Sequence, residues 1–280
     1  MKDKISVTIN GKVLRDVDSI IDNIFIRNRS QAIEYLIEEA LKSKKISVIL
    51  VGDSTKLSSS ARMSNRYAIK INGISLIERA VRKLGNSGFK TIYIIGIRDI
   101  LTNIFKIIGD GSDFNVKIEY INEESQNGTA SAIKLIKGKV NSTFLLIHSD
   151  IIIDHINLLE IWQKHLQDKV VATILIGSPY NPGKNSIHGN VCLEGNRIVR
   201  YIEKPNKKEL KSSMFIRGVF VLEPEILSCP GNSLEFDVFP ILMKKGLLSG
   251  HISATETLHI HTKEDLEIVK KKFKEIFKNK

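Results

Sequence analysis

The sequence predicts an α/β protein in two parts, a small N-terminal segment over residues 1–44 and one large domain over residues 46–280. Short apolar runs alternate with amphipathic helical patterns from Ile46 onward, which is typical of βαβ units and a Rossmann-like, mainly parallel sheet flanked by helices. The first 45 residues differ, with one alternating stretch and two short helical stretches. A chain of 280 residues is long enough to bury one large and one small core.

Composition narrows the class of protein. Hydrophobic residues make up 42% and charged residues 26% of the chain, which is ordinary for a soluble globular protein. No run of about 18 apolar residues is present, so no membrane partner is predicted. The start of the chain lacks the apolar block of a signal peptide. Cys192 and Cys229 lie far apart, and the simple interpretation is a reducing, cytoplasmic location.

The net charge of +11 favours an anionic partner such as nucleic acid, nucleotide or phosphate. Solvated helix faces, such as the Lys-rich stretch 270–280, explain the same charge equally well. Charge alone therefore decides nothing.

The N-terminal segment begins with a strictly alternating stretch, Lys4–Asn10, which predicts a half-buried strand. A helix follows with Leu14, Val17, Ile20 and Ile21 as its apolar face and Asn23 at its end. A second helix is predicted to begin at Asn28 or Ser30, either of which can act as its N-cap.

One strand and two helices in about 45 residues cannot close a sufficient core, whereas pairing the strand with a second copy would do so. The order of elements and the Arg-Ser turn resemble the ribbon-helix-helix (MetJ/Arc-type) DNA-binding family over residues 2–44. The resemblance implies a homodimer or higher homo-oligomer on double-stranded DNA. It places Lys4, Ser6 and Thr8 at base edges and Asn28, Arg29 and Ser30 at a phosphate. A dimerisation arm, or a strand docked on the main domain, remains the alternative.

In the main domain the apolar periodicity predicts a series of strands and helices. The strands are predicted over residues 46–51, 91–97, 116–121 and 143–148, and the helices over 76–86, 99–108 and 129–137. Ligands of parallel α/β sheets bind at the carboxyl ends of the strands, so polar residues at those ends are candidates for a site.

Four such places carry possible chemistry. The loop Gly52-Asp53-Ser54-Thr55-Lys56 can cradle phosphate with backbone N–H groups, although an ordinary mobile loop fits as well. Gly128-Thr129 opens a helix and allows close approach of a ligand, with a plain N-cap as the alternative.

Asp150 follows a buried strand and suits Mg²⁺, or else simply forms a turn. Lys204 offers a point charge to phosphate and Glu203 an acceptor for hydroxyls, unless the segment is only a strand end turning at Pro205.

Together these motifs resemble the sugar nucleotidyltransferase family, whose members join a nucleoside triphosphate to a sugar 1-phosphate. The family's G-x-G-T-R-L loop looks like residues 52–57, and its P-K-P segment looks like Asn65-Arg66-Tyr67. Its G-T-A looks like Gly128-Thr129-Ala130, and its metal-binding Asp looks like Asp150. Its E-K-P looks like Glu203-Lys204-Pro205, and the Gly of its sugar-binding strand looks like Gly218. The resemblance covers residues 46–280 and implies a nucleotide-diphospho-sugar transferase fold. It implies Mg²⁺ on Asp150, the triphosphate on Lys56 and Arg66, and the sugar phosphate on Lys204.

The departures from the family pattern bear on activity. The phosphate loop keeps one glycine, Gly52, and the positions of the second metal-binding Asp and of a neighbouring residue are taken by His259 and His261. Imidazole is a poor ligand for Mg²⁺, which prefers oxygen. The favoured hypothesis is therefore a DNA-binding transcriptional regulator whose second domain binds a nucleotide or nucleotide-sugar as effector. The alternative is an active, Mg²⁺-dependent sugar-1-phosphate nucleotidyltransferase.

Overall fold

The structure is a computed structural model that describes residues 5–43, 45–52, 65–177, 188–253, 258–260 and 262–278. The chain divides into two compact units, Met1–Lys44 and Lys45–Lys280.

The N-terminal unit contains two helices, α1 (Gly11–Ser19) and α2 (Arg29–Ser43). The strand predicted over Lys4–Asn10 is wrong for the single chain, because residues 5–10 have no regular structure and Lys4 lies outside the described residues. A strand needs a neighbour to satisfy its backbone N–H and C=O groups. The side chains of Ile5 and Val7 are 75% and 59% exposed.

The connection between α1 and α2 differs in part from the prediction. Helix α1 ends at Ser19 rather than at Asn23, and the Asp22 carboxylate accepts the backbone N–H groups of Ile24, Phe25 and Ile26. These hydrogen bonds lower the pKa of Asp22 and form a tight turn. The predicted N-cap of α2 is confirmed, since Asn28 Oδ1 accepts the backbone N–H of Gln31 at 3.0 Å.

The second unit is an α/β domain. Its strands are β1 (Ile46–Leu50), β2 (Lys70–Ile71), β3 (Ile74–Ser75), β4 (Thr91–Gly96), β5 (Lys117–Asn122), β6 (Phe144–His148), β7 (Ile151–Ile152), β8 (Ala172–Gly177), β9 (Asn190–Glu194), β10 (Arg197–Ile202), β11 (Phe215–Leu222), β12 (Leu248–Ile252) and β13 (Leu258–His259). Its helices are α3 (Leu76–Asn86), α4 (Arg98–Ile108), α5 (Thr129–Lys134), α6 (Leu158–Asp168), α7 (Phe239–Lys244) and α8 (Lys263–Lys278). Among the described residues no helix is long and apolar enough to cross a membrane.

The main sheet has the strand order β5-β4-β1-β6-β11-β8-β12-β10-β9. The first four strands are parallel, as the alternation of apolar runs and helices predicts. The other half is mixed, because β11 is antiparallel to both β6 and β8, and β10 is antiparallel to β12 and β9. The carboxyl ends of β5, β4, β1 and β6 therefore meet at one edge.

The sheet is covered on both faces. Ile49 and Val51 pack with residues of α3, α4 and α6 on one face, and Val48 and Leu50 pack with residues of α5 and α7 on the other. Burial on both faces explains the continuous apolar runs of the strands. One run, in β6, ends on a polar residue, His148.

Candidate functional site

A cavity of about 260 Å³ lies at the carboxyl ends of the parallel strands. Its wall includes Leu50, Val51 and Gly52 at the end of β1, Ile95 in β4, and His148 and Ser149 at the end of β6. The backbone holds these ends together, with hydrogen bonds from Val51 N–H to the Ile95 carbonyl and from Ser149 N–H to the Leu50 carbonyl. The cavity occupies the position at which open α/β sheets bind ligands.

Arg66 lies in this cavity and forms an ion pair with Asp150. It begins a short 3₁₀ helix, Arg66–Ala68, after Asn65, whose φ of 54° turns the chain. The Arg66 Nη1 donates to Asp150 Oδ2 at 2.6 Å, and the two side chains are only 16% and 14% exposed. Arg66 is the one Lys or Arg among the described residues that line the cavity. The triphosphate-binding and metal-binding residues of the family pattern thus contact each other.

His259, at the second metal position of the family pattern, lies on the strand next to Asp150. Strand β13 pairs with β7 so that His259 is opposite Ile151. The backbone N–H of Ile260 donates to the Asp150 carbonyl at 3.0 Å. The ring of His259 packs against that of His188, with 4.8 Å between centroids. His261 lies outside the described residues.

The residues present do not fit a magnesium ion. A cation at Asp150 would have to displace or adjoin the Arg66 guanidinium on the same carboxylate, and the adjoining strand residue is an imidazole rather than an oxygen ligand. The assignment of Mg²⁺ to Asp150 therefore finds no support in this geometry.

Gly128 and Thr129 line the cavity, but their contacts are largely internal. Gly128 has a φ of +117°, and a Cβ there would lie 2.5 Å from the Asn232 carbonyl oxygen. The Thr129 hydroxyl donates to Glu235 Oε2 and accepts the backbone N–H of Leu234. The Thr129 hydroxyl thus holds the segment at 232–235, and nucleotide binding by Gly128 and Thr129 stays a prediction. The helix it opens ends at Lys134 rather than at residue 137.

Glu203, Lys204 and Gly218 are not among the described residues that line the cavity. Glu203 Oε2 accepts the Tyr201 hydroxyl at 2.8 Å, and Lys204 Nζ lies 5.5 Å from the ring centroid of Phe236. A Cβ at Gly218 would lie 3.3 Å from His148 Nδ1. Gly218 therefore lies next to His148, which in turn lines the cavity.

Burial changes the titration of the Glu203 and Tyr201 pair. Desolvation raises the pKa of Glu203 from 4.5 to about 7, the Tyr201 hydrogen bond opposes this, and the charge of Glu235 adds to it. Burial likewise raises the pKa of Tyr201 well above 10. The carboxyl of Glu203 is therefore partly protonated near neutral pH, when it is able to donate as well as accept a hydrogen bond.

Several predicted residues cannot be placed. Asp53, Ser54, Thr55 and Lys56 lie outside the described residues, whereas Gly52 lines the cavity.

In the N-terminal unit Arg29 forms a bidentate ion pair with Asp18, at 2.7 and 2.8 Å. That pair raises the pKa of Arg29 and lowers the pKa of Asp18. Ser6, Thr8 and Ser30 are exposed.

Sequence reasoning missed three residues that line the cavity and one residue, Glu235, that contacts the cavity residue Thr129. His148 is the polar end of an otherwise apolar run, and this break in the pattern was the available signal. Glu123 and Gln126 line the cavity just after β5. They follow the carboxyl end of a parallel strand, which is where ligands of such sheets bind. Glu235 is 8% exposed and is held by Thr129 and Ser233. Its role depends on a contact 106 residues away, which no local pattern shows.

A protein-family model described as nucleotidyl transferase matches residues 46–235. The chain belongs to this nucleotidyl transferase family. The match begins where the second unit begins and includes the Arg66–Asp150 pair and the residues around the cavity.

Relatives within the nucleotidyl transferase family are moderately similar. The chain is 27% identical over 187 residues to the bifunctional protein GlmU of Methanococcus maripaludis, covering 66% of this chain and 41% of that protein. It is 27% identical over 214 residues to a mannose-1-phosphate guanyltransferase of Aspergillus oryzae, covering 73% and 57%. The chain thus spans about half the length of the curated relatives it matches.

A solved structure supports the same nucleotide-diphospho-sugar transferase fold. A putative glucose-1-phosphate thymidylyltransferase from Bacillus anthracis, in complex with a sucrose, superposes with a TM-score of 0.68 at 20% identity. The alignment covers 81% of this chain and 94% of that one.

Proposed function

We propose that residues 45–280 form a sugar-1-phosphate nucleotidyltransferase. The observation that carries the proposal is the Arg66 guanidinium, held by Asp150 in a cavity at the carboxyl ends of the parallel strands. The cavity lies within the segment that matches the nucleotidyl transferase family. Arginine matches the geometry of phosphate oxygens and stays charged at every physiological pH.

In the proposed reaction a phosphate oxygen of the sugar 1-phosphate attacks the α-phosphorus of a nucleoside triphosphate. The bond from the α-phosphorus to the bridging oxygen breaks, and pyrophosphate leaves with that oxygen. Such in-line transfer depends chiefly on positioning and on neutralising charge. Arg66 supplies positive charge in a part-buried site, where its interaction with phosphate is strong. Asp150 orients the guanidinium.

The sugar end of the site is the region of Glu203, Lys204 and Gly218. Lys204 has a φ of 48°, and its ammonium lies 5.5 Å from the centroid of the Phe236 ring. The segment therefore carries a positive charge next to an aromatic ring. Glu203, with its raised pKa, suits hydrogen bonding to hydroxyls. The relatives named for mannose 1-phosphate and glucose 1-phosphate support a hexose 1-phosphate as substrate class.

The test is pyrophosphate release by the full chain, measured over each nucleoside triphosphate paired with a panel of hexose 1-phosphates, with and without Mg²⁺. Release that requires both substrates and is lost in Asp150→Ala supports the proposal. Thermal stabilisation by nucleotides or nucleotide-sugars without release from any pair would instead favour an effector-binding domain. Neither stabilisation nor release would contradict both functions.

A second candidate function concerns the N-terminal unit, for which we propose dimerisation and DNA binding. The supporting observation is the exposure of Ile5 and Val7, which alternate along the chain and have no cover within the described residues. A paired strand from a second copy would bury them and create a two-stranded ribbon. Ser6 and Thr8, with Lys4, would then face outward toward base edges. Nucleotide or nucleotide-sugar bound by the second unit would be the effector.

The test combines mass measurement in solution with gel shifts. Lys4→Ala with Thr8→Ala is expected to abolish sequence-specific binding to a native promoter and to leave a dimer intact. Unchanged gel shifts would exclude base reading by this segment, and a monomeric wild-type chain would exclude the ribbon.

A further inference from the structure

Two buried polar atoms face each other, one on His148 at the end of β6 and one on Glu235 in the helical segment Leu234–Val238. His148 Nε2 and Glu235 Oε1 are 3.7 Å apart, which is too far for a hydrogen bond. Both atoms are shielded from solvent and neither has a hydrogen-bond partner among the described residues. Leaving such an atom unsatisfied is unfavourable. The two atoms contact each other only at the spacing of a long ion pair, and a polar group within reach of both would satisfy them.

Other contacts hold the two side chains in place independently of each other. The second oxygen of the Glu235 carboxylate accepts the hydroxyls of Thr129 and Ser233. The His148 ring packs edge-on against Phe220, with 5.6 Å between centroids. Gly218 leaves room for that ring, since a Cβ there would contact it. The two atoms are thus pre-positioned, which is what a binding subsite requires.

We propose that His148 and Glu235 recognise one hydroxyl group of the sugar in the hexose 1-phosphate. This inference rests on the proposed function and names a specificity-determining pair for it. A hydroxyl accepts from the imidazole N–H and donates to the carboxylate with one atom. Two hydrogen bonds of about 2.8 Å are long enough to span the gap of 3.7 Å between the two atoms.

Charge and position favour a sugar hydroxyl over a phosphate at this point. The Glu235 carboxylate repels a phosphate, whereas it strengthens a hydrogen bond from a hydroxyl. The negative charge of Glu235 helps to raise the pKa of Glu203. The ring of His148 lies beside Gly218. Both neighbours belong to the sugar end of the proposed site. His148 also lines the cavity that holds Arg66, so one ligand can contact both.

The experiment is calorimetric titration of the full chain with glucose 1-phosphate, mannose 1-phosphate and their monodeoxy analogues. Nucleoside triphosphate alone is titrated as the internal reference. The variants are His148→Leu, which removes the donor, His148→Gln, which restores a donor nitrogen, and Glu235→Gln. The control variants are His251→Leu and Glu160→Gln, because His251 Nε2 lies 3.6 Å from Glu160 Oε1 in a pair of similar spacing, more exposed at its Glu, outside the cavity.

We expect His148→Leu and Glu235→Gln to weaken hexose 1-phosphate binding by about 10- to 100-fold. Nucleotide affinity should stay unchanged, and His148→Gln should recover most of the loss. The monodeoxy analogue that lacks the bound hydroxyl should bind the wild type and His148→Leu equally weakly.

Wild-type affinity for hexose 1-phosphate in His148→Leu would overturn the inference. So would a parallel loss of nucleotide affinity in both His148 variants, since that indicates a purely structural role. A wild-type chain that binds neither nucleotide nor hexose 1-phosphate would overturn the proposed function itself. By contrast, a wild type that binds both ligands, with hexose 1-phosphate affinity unchanged in His148→Leu, would overturn only the role of His148 and Glu235.

Discussion

Arg66 and Asp150, 84 residues apart in the chain, form a part-buried ion pair with 2.6 Å between Nη1 and Oδ2. In such surroundings the attraction between the charges is much stronger than on an exposed surface. Removing either partner takes away this contact from the charge that remains. The pair places a fixed positive charge where the family pattern implies a metal ion, and this determines how phosphate is expected to bind.

Nucleotide binding is expected to be independent of divalent metal. The Asp150 carboxylate already interacts with Arg66, and the guanidinium neutralises phosphate charge in place of a cation. Calorimetric titrations in Mg²⁺ and in EDTA should give the same dissociation constant. A marked loss of affinity in EDTA would show that a metal displaces Arg66 from Asp150.

Arg66→Ala is expected to weaken triphosphate binding by about 10- to 100-fold, because it removes a charge-assisted contact and exposes the Asp150 carboxylate to phosphate. The matched control is Arg79→Ala. Arg79 forms a comparable ion pair with Asp154 at 2.8 Å, with side chains 10% and 19% exposed, but does not line the cavity. Both variants should lose stability, and only Arg66→Ala should lose nucleotide affinity. Equal affinities in the two variants would exclude Arg66 from binding phosphate.

Glu203→Gln is expected to change the pH dependence of stability. The folded-state pKa of Glu203 is raised to about 7 from 4.5, with burial as the main cause. The folded state then binds more protons than the unfolded state between these values, so stability decreases as pH rises from about 4.5 to about 7. The difference is of the order of 3 kcal/mol, and Gln should remove it. Urea titrations at several pH values measure the change, and parallel curves for both proteins would refute it.

Gly128→Ala is expected to lower the free energy of unfolding by more than the roughly 1–3 kcal/mol of a strained φ alone. A Cβ there would lie 2.5 Å from the Asn232 carbonyl oxygen, and this contact joins α5 to the segment that carries Glu235. Gly138→Ala is the control, because Gly138 also has a positive φ, of +83°, but no atom within 4 Å. Urea unfolding of the two variants should separate strain from steric clash. Equal destabilisation would mean that the approach of the two backbones is not important.

Local patterns were sufficient to predict the first half of the sheet. The apolar runs that become β1, β4 and β6 are buried on both faces, so each run marks its strand to within a residue or so. Helix α3 begins and ends where its periodicity predicts. The antiparallel insertion of β11 was not predicted, because strand order depends on contacts between distant segments.

The site was only partly predictable for the same reason. Asp150 and Arg66 were found separately, by a strand end and by a motif, but their ion pair spans 84 residues. Gly128 and Thr129 were singled out by a motif, but the bond from the Thr129 hydroxyl to Glu235 joins distant segments. The strand predicted at residues 4–10 needs a partner that the single chain does not supply.

Phosphorus NMR of the full chain with the active substrate pair tests nucleotidyl transfer at the Arg66 cavity most directly. The expected spectrum shows pyrophosphate and a nucleotide-sugar appearing together, for the wild type and for Arg79→Ala, with the rate lowered by about tenfold or more in Arg66→Ala. Equal rates in wild type and Arg66→Ala would contradict the assignment of Arg66. Unchanged triphosphate signals with the wild type, for every pair of substrates, would contradict the transferase itself.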